Sequence, residues 1–120
     1  MAAKDERGRA GEERAARHLT ERGYDILDRN WRHRQGEIDI VAGTRDELVI
    51  VEVKTRRSDG FGHPFEAVDD RKRDRLWRLA CAWIAAYPER VRGRRVRLDV
   101  IGITGDDVAT ARVEHIEDLR

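Results

Sequence analysis

The order of elements legible in the sequence, α-β-β-β-α-β-β, predicts a small α/β or α+β domain built around one sheet. Three observations carry that expectation. Two segments, about Glu6 to Arg22 and Val68 to Ala86, have helix-forming composition or a helical apolar stripe. EIDIVAG from Glu37, LVIVEVKT from Leu48 and RVRLDVIGI from Arg95 have the alternating or continuous apolar pattern of strands. At 120 residues, 39% hydrophobic and 41% charged, the chain suits one core under a dense ionic surface, hence one domain over residues 1–120.

Each element has a local reason. The first helix is rich in Ala, Glu and Arg, and Gly23 stops it. Tyr24, Ile26 and Asp28 begin an extended segment that runs into Trp31. EIDIVAG and LVIVEVKT are joined by Thr44 to Glu47, a polar loop of hairpin length. Residues 58–67, SDGFGHPFEA, hold two glycines and a proline and read as a loop. The second helix has Asp69 or Asp70 as its cap and Pro88 beyond its end, with Leu76, Leu79, Ala80, Trp83 and Tyr87 on one stripe. After the strand RVRLDVIGI, ATARVEHI reads as a last one.

Composition excludes several classes. With 25 basic and 24 acidic residues the net charge is +1, so any nucleic-acid partner must be argued from local clusters. Cys81 is the only cysteine, which rules out an internal disulfide and a Cys-rich zinc site; its surroundings, LACAWIA, predict an inert core thiol. The N-terminus is charged without an apolar signal core, and the run Leu79 to Tyr87 is too short to span a bilayer. A cytoplasmic protein with no membrane partner is expected. His18, His33, His63 and His115 lack ligand spacing, and Gly60 and Gly62 make no phosphate cradle.

The informative residues are charges in apolar contexts. In LVIVEVKTR one strand face reads Val49, Val51, Val53, and the other reads Leu48, Ile50, Glu52, Lys54. A four-residue loop at 44–47 sets Gly43 against Leu48 and so sets Asp39 directly across from Glu52. Two opposed carboxylates repel unless a cation neutralises both. Glu12 is centred among Gly8, Ala15, Ala16 and Leu19 on its helix, although small neighbours define a face weakly and spacing alone favours a solvated glutamate. Lys54 is one of three lysines, with Lys4 and Lys72, among the 25 basic residues. A lysine can orient or deprotonate a water where arginine could not.

A strand carboxylate, a hairpin of this length and E-x-K at the end of a buried strand resemble the PD-(D/E)xK nuclease superfamily. More narrowly, GRAGEERAARHLTERGYDILDRNWR (8–32), GEIDIVA (36–42), VIVEVKTR (49–56), AVDDRKRDRL (67–76) and RLDVIGI (97–103) resemble the YraN-like family of small bacterial proteins. That family is similar in fold to archaeal Holliday-junction resolvases. The resemblance implies a restriction-endonuclease-like core: a mixed central sheet flanked by the two long helices. It implies Asp39, Glu52 and Glu12 as ligands of Mg²⁺ or Mn²⁺, with the Val53 carbonyl as a further oxygen. Lys54 would be the catalytic group that positions or activates water, and the reaction would be phosphodiester hydrolysis in DNA, branched or structured DNA included.

The remaining assignments are weaker. Glu37 is an accessory acid that shares a face with Asp39; it could bind a second metal or orient an arginine, and solvation at the strand start is the preferred reading. Lys72, Arg56 and Arg57 are expected to contact the nucleic-acid backbone, beside basic clusters at Arg29, Arg32 and Arg34 and at Arg90, Arg92, Arg94 and Arg95. Asp99 is expected to pair with a buried arginine rather than to act in catalysis. Related resolvases act as dimers, so a homodimer is compatible with the resemblance. The rival class is a nucleic-acid-binding protein on a nuclease fold with little or no turnover.

Overall fold

A computed structural model of the protein describes residues 5–58, 60 and 69–119. Helix α1 (Glu6–Glu21) is followed by strands β1 (Asp25–His33), β2 (Gly36–Gly43) and β3 (Glu47–Arg56). Helix α2 (Asp70–Ala86) then leads to β4 (Arg95–Thr104) and β5 (Arg112–Ile116). The five strands form one sheet in the order β1-β2-β3-β4-β5. β3 and β4 run parallel, and every other neighbouring pair is antiparallel. A parallel pair needs a long crossover, and α2 supplies it.

The helix ends obey local chemistry. Asp5 caps α1 by accepting from the Gly8 N–H at 2.7 Å. At the other end Gly23, at φ +89°, closes a Schellman motif. There the Gly23 N–H bonds the Thr20 carbonyl at 3.1 Å and the Tyr24 N–H bonds the Leu19 carbonyl at 3.0 Å. Of the two expected caps for α2, Asp69 is the one used; it accepts from the Lys72 N–H at 2.9 Å.

Each helix covers one face of the sheet. Ala15, Ala16 and Leu19 of α1 pack on Ile40, Ala42, Val49, Val51, Ile101 and Ile103. Leu76, Leu79, Ala80 and Trp83 of α2 pack on Ile38, Val41, Leu48, Ile50 and Leu98. Burial of Leu48 to Val51 on both sides accounts for their unbroken apolar run. The fully buried Trp83 keeps its indole N–H satisfied by Asp28 Oδ2 at 2.9 Å. This mixed sheet with a helix on each face is compatible with a restriction-endonuclease-like core. Among the described residues no helix is long and apolar enough to cross a membrane.

Two expectations change. Cys81 is exposed rather than a core thiol, because it follows Ala80 by one residue and so rotates off the buried stripe. The last strand is shorter than ATARVEHI: Val108–Thr110 form a 3₁₀ turn, capped by Asp107, before β5 begins. Most of the 58–67 loop, with Phe61, Gly62 and His63, lies outside the described residues, as does Val68.

Candidate functional site

The β2–β3 hairpin has the register that its loop length predicts. Thr44 N–H bonds the Glu47 carbonyl at 2.9 Å, and paired residues run from Gly43 and Leu48 to Ile40 and Val51. The pairing ends at that step, and Asp39 and Glu52 are the next residues on the two strands, joined by no ladder pair. There the Val53 N–H donates to Asp39 Oδ2 at 2.8 Å, so a side chain takes a strand donor. Asp39 also meets an irregularity on its other side. The pairs of Arg29 with Ile40 and Trp31 with Ile38 flank a step at which Asn30 falls opposite Asp39. Asn30 has φ +52°, a left-handed conformation that asparagine tolerates better than most residues. The alternation of β2 changes phase at this point: Ile40 and Ala42 lie under α1, whereas Ile38 lies under α2.

Glu12 reaches the same place from α1. It is 3% exposed, which overturns the solvated reading that its small neighbours favoured. The cause is close approach. A Cβ at Gly11 would fall 1.9 Å from Thr55 Oγ1, so only glycine lets α1 settle this deeply on β3. Glu12, Asp39, Glu52, Val53, Lys54 and Thr55 then line one open pocket of about 400 Å³, with Asp5, Arg7 and Gly8 at its edge.

Electrostatics within the pocket are unbalanced. Burial first, and the Asp39 charge second, push the Glu52 carboxyl above its usual range; Lys54 and Arg75 oppose them. Lys54 Nζ lies 3.4 Å from Glu52 Oε1, an ion pair with both side chains largely covered. Arg75, on α2, had no signal in the sequence that set it apart from 21 other arginines. Its proximity to Glu52 arises only when α2 crosses the sheet. Arg7 is held at the pocket edge by donating to the Gly105 carbonyl and, at 2.8 Å, to the Asp106 carbonyl.

The accessory residues divide. Glu37 is not solvated: its side chain is 14% exposed and stands 3.9 Å from Arg32 on the neighbouring strand. Lys72 is half-buried in the first turn of α2, and Arg56 is half-buried at the end of β3. Arg57 is exposed and reaches Asp106 at 3.5 Å. The basic cluster after α2 is largely tied down, with Arg90 on the Leu27 carbonyl at 2.9 Å and Arg95 on Asp118 at 3.1 Å.

A second charged cluster lies along β4 and β5. Arg97 donates from Nε to Asp99 Oδ1 at 3.0 Å and from Nη2 to Asp99 Oδ2 at 3.1 Å. It also bonds Glu47 at 2.6 Å and Glu117 at 3.2 Å. His115 Nε2 lies 2.7 Å from Asp99 Oδ2, and the Asp118 N–H donates to Asp99 Oδ1 at 2.9 Å. Burial would raise the Asp99 carboxyl, but the bonds from His115, Arg97 and Asp118 outweigh it and hold the group below its usual value. Asp99 is therefore paired with a buried arginine, as expected. Its ligand atoms, with those of His115 and Glu117, lie within 4.8 Å of one another, the one such group among the described residues. Residue spacing could not warn of a histidine in such a group, since the three residues come from β4, β5 and the chain just beyond. That grouping could hold a metal ion, yet the Arg97 guanidinium already supplies its cation. The pocket acids Glu12, Asp39 and Glu52 are spread more widely.

The donor set of the pocket nevertheless suits a hard divalent cation. Three carboxylates supply oxygen only, with room left for water, which matches the preference of Mg²⁺ and Mn²⁺. The raised Glu52 carboxyl marks excess negative charge that a cation would offset.

A family model described as an uncharacterised protein family, UPF0102, matches residues 11–103. A protein of that name from Arthrobacter sp. is 53% identical over 116 residues, 97% of each chain. Another, from Kineococcus radiotolerans, is 52% identical over 114 residues, covering 95% of this chain and 93% of its own.

Proposed function

This chain belongs to the uncharacterised UPF0102 family, and on that footing we propose that it is a Mg²⁺- or Mn²⁺-dependent endonuclease of DNA, acting as one PD-(D/E)xK-type domain related to the junction resolvases. The observation that carries the reading is the meeting of Glu12, Asp39, Glu52 and Lys54, from one helix and two strands, in a single pocket. Ion pairing alone would not require Asp39 so near Glu52, where its charge adds to burial in pushing the Glu52 carboxyl up.

In this reading Glu12, Asp39 and Glu52 hold the cation. When bound, it polarises the scissile phosphate and lowers the pKa of water. The Val53 N–H fixes the Asp39 carboxylate, so that its orientation does not depend on the cation. Glu52 and Lys54 follow each other on one strand face, and their 3.4 Å contact keeps the ammonium beside the carboxylate. From there Lys54 directs its N–H donors at the attacking water or at a phosphate oxygen. Arg75 flanks the pocket on the α2 side, with Lys72 one turn earlier. Arg56 and Arg57 lie at the end of β3, positioned for backbone phosphates on the far side.

Thermal melting tests the ligand assignment. Saturating Mn²⁺ is expected to stabilise the wild type by about 2–3 kcal/mol at a hundredfold excess over Kd, and Asp39→Asn much less. Equal responses in both would refute it. Activity is tested with Mn²⁺ on a four-way junction, a flap, linear duplex, single-stranded DNA and structured RNA. Metal-dependent cutting that Lys54→Ala abolishes is the expected result. Binding without cutting, unchanged in Lys54→Ala, would instead identify a nucleic-acid-binding protein that has kept only the fold.

A further inference from the structure

Beside the pocket, the end of the β1–β2 hairpin carries an aromatic pair that the nuclease reading leaves unused. Trp31 and His33 are two apart on β1 and share a face; their rings stack with centroids 5.5 Å apart and planes 18° from parallel. Trp31 packs inward on the α2 side of the core, and both rings keep part of their surface in solvent. The pair is held in place from two directions. His33 Nδ1 accepts from the Gln35 N–H at 3.3 Å, across the turn. Gly36, at φ +146°, brings the turn against α2, where a Cβ would lie 3.4 Å from Leu79 and 4.0 Å from the Arg75 side chain.

The surrounding charge is cationic. Arg34 is exposed at the tip of the turn, and Arg75 stands between the hairpin and Glu52, whose charge it opposes. Asp39 lies three steps along β2 from Gly36, or about 10 Å of strand. A stacked, pre-oriented ring pair flanked by arginines at one nucleotide's reach from a phosphate-cleaving pocket has a definite complement. We propose that this hairpin end is a stacking platform for an unpaired nucleobase, so that the substrate class is DNA with an unpaired nucleotide next to the cut. The inference rests on the nuclease reading and narrows it. Within an intact duplex each base is already stacked on its neighbours, and its face is not available to a side chain. An unpaired base offers that face, and aromatic side chains accept any of the four bases.

The test is binding by the full chain in Ca²⁺ to three 16-nucleotide probes: a single strand, a duplex with a one-nucleotide gap, and a blunt duplex. A 2-aminopurine in the single strand, or opposite the gap, reports stacking by loss of fluorescence. His33→Ala is expected to weaken the first two probes by at least fivefold and to reduce the quenching, with the blunt duplex within about twofold and the melting temperature unchanged. His33→Phe, which keeps a ring, should restore quenching. Equal weakening of all three probes would show a charge effect and overturn the platform. So would no change in His33→Ala when the wild type binds, and either result would leave the nuclease reading standing. A wild type that binds none of the probes, and cuts nothing with Mn²⁺, would remove both.

Discussion

Gly11 sets how closely α1 approaches the sheet. Because its missing side chain is what brings α1 onto Thr55, Gly11→Ala should cost about 1–3 kcal/mol through overpacking and lift Glu12 out of the pocket. Adding Thr55→Ala removes the clashing hydroxyl and is expected to recover part of that loss, as read by chemical denaturation of the four variants of the cycle. Glu12 was only half legible in the sequence for the same reason: Gly and Ala say little about which way a helix faces, so its burial follows from one steric contact with a strand 44 residues away. Asn30 is the other residue whose role the sequence hides, since DRNWR reads as uninterrupted strand. Its left-handed backbone opposite Asp39 should tolerate Asn30→Gly within about 0.5 kcal/mol, whereas Asn30→Val should cost about 1–3 kcal/mol and weaken the response to Mn²⁺. Thermal melts with and without the ion compare the two.

At the level of elements, the hairpin was the most legible part of the molecule. The four-residue loop at 44–47 fixes the register from Gly43 and Leu48 to Ile40 and Val51, which leaves Asp39 and Glu52 just past the paired stretch, and the alternation of LVIVEVKT decides which residues share their face. None of that depends on distant contacts. What depended on them was misread or missed: Cys81 took its expected burial from apolar neighbours in sequence, and Arg75 comes to act on the Glu52 charge only through the crossover of α2. The start of α2 is a sensitive point for that reason. Asp69→Ala removes the cap that bonds Lys72 N–H and should cost about 1 kcal/mol. Since Lys72 and Arg75 lie in the first two turns, weaker binding of DNA is expected to accompany the lower melting temperature, and fluorescence anisotropy would measure it.

Across the whole molecule, two charge clusters answer to different conditions. The pocket gathers carboxylates around the Lys54–Glu52 ion pair, while the Arg97 network centres three carboxylates on one guanidinium and joins β3, β4, β5 and the chain after β5. Asp99 titrates below its usual value, so its contribution is present above the unfolded carboxyl pKa of about 3.9 and is lost as pH falls through the lower folded value. Asp99→Asn removes the carboxylate that takes two of the Arg97 bonds, with Glu47 and Glu117 still pairing the guanidinium, and should cost about 1–3 kcal/mol at pH 7. Melting curves from pH 7 down to pH 2.5 should show that gap narrowing on the acid side; a constant gap would mean that the network is not what responds to acid. The pairing of Asp99 with an arginine could be anticipated, but not the reach of the network to Tyr24, Glu47, His115, Glu117 and Asp118, because these come from separate stretches of chain.

The sheet ends at β1 on one side, and nine residues of unbroken extended backbone there would invite a foreign chain to add itself by backbone pairing. Asn30 turns that rim aside partway along its length. A valine at this position, besides shifting Asp39, would leave the register shift between Ile26 and Asp28 as the border's remaining break, and concentrated solutions of the variant should grow cloudier than those of the glycine variant.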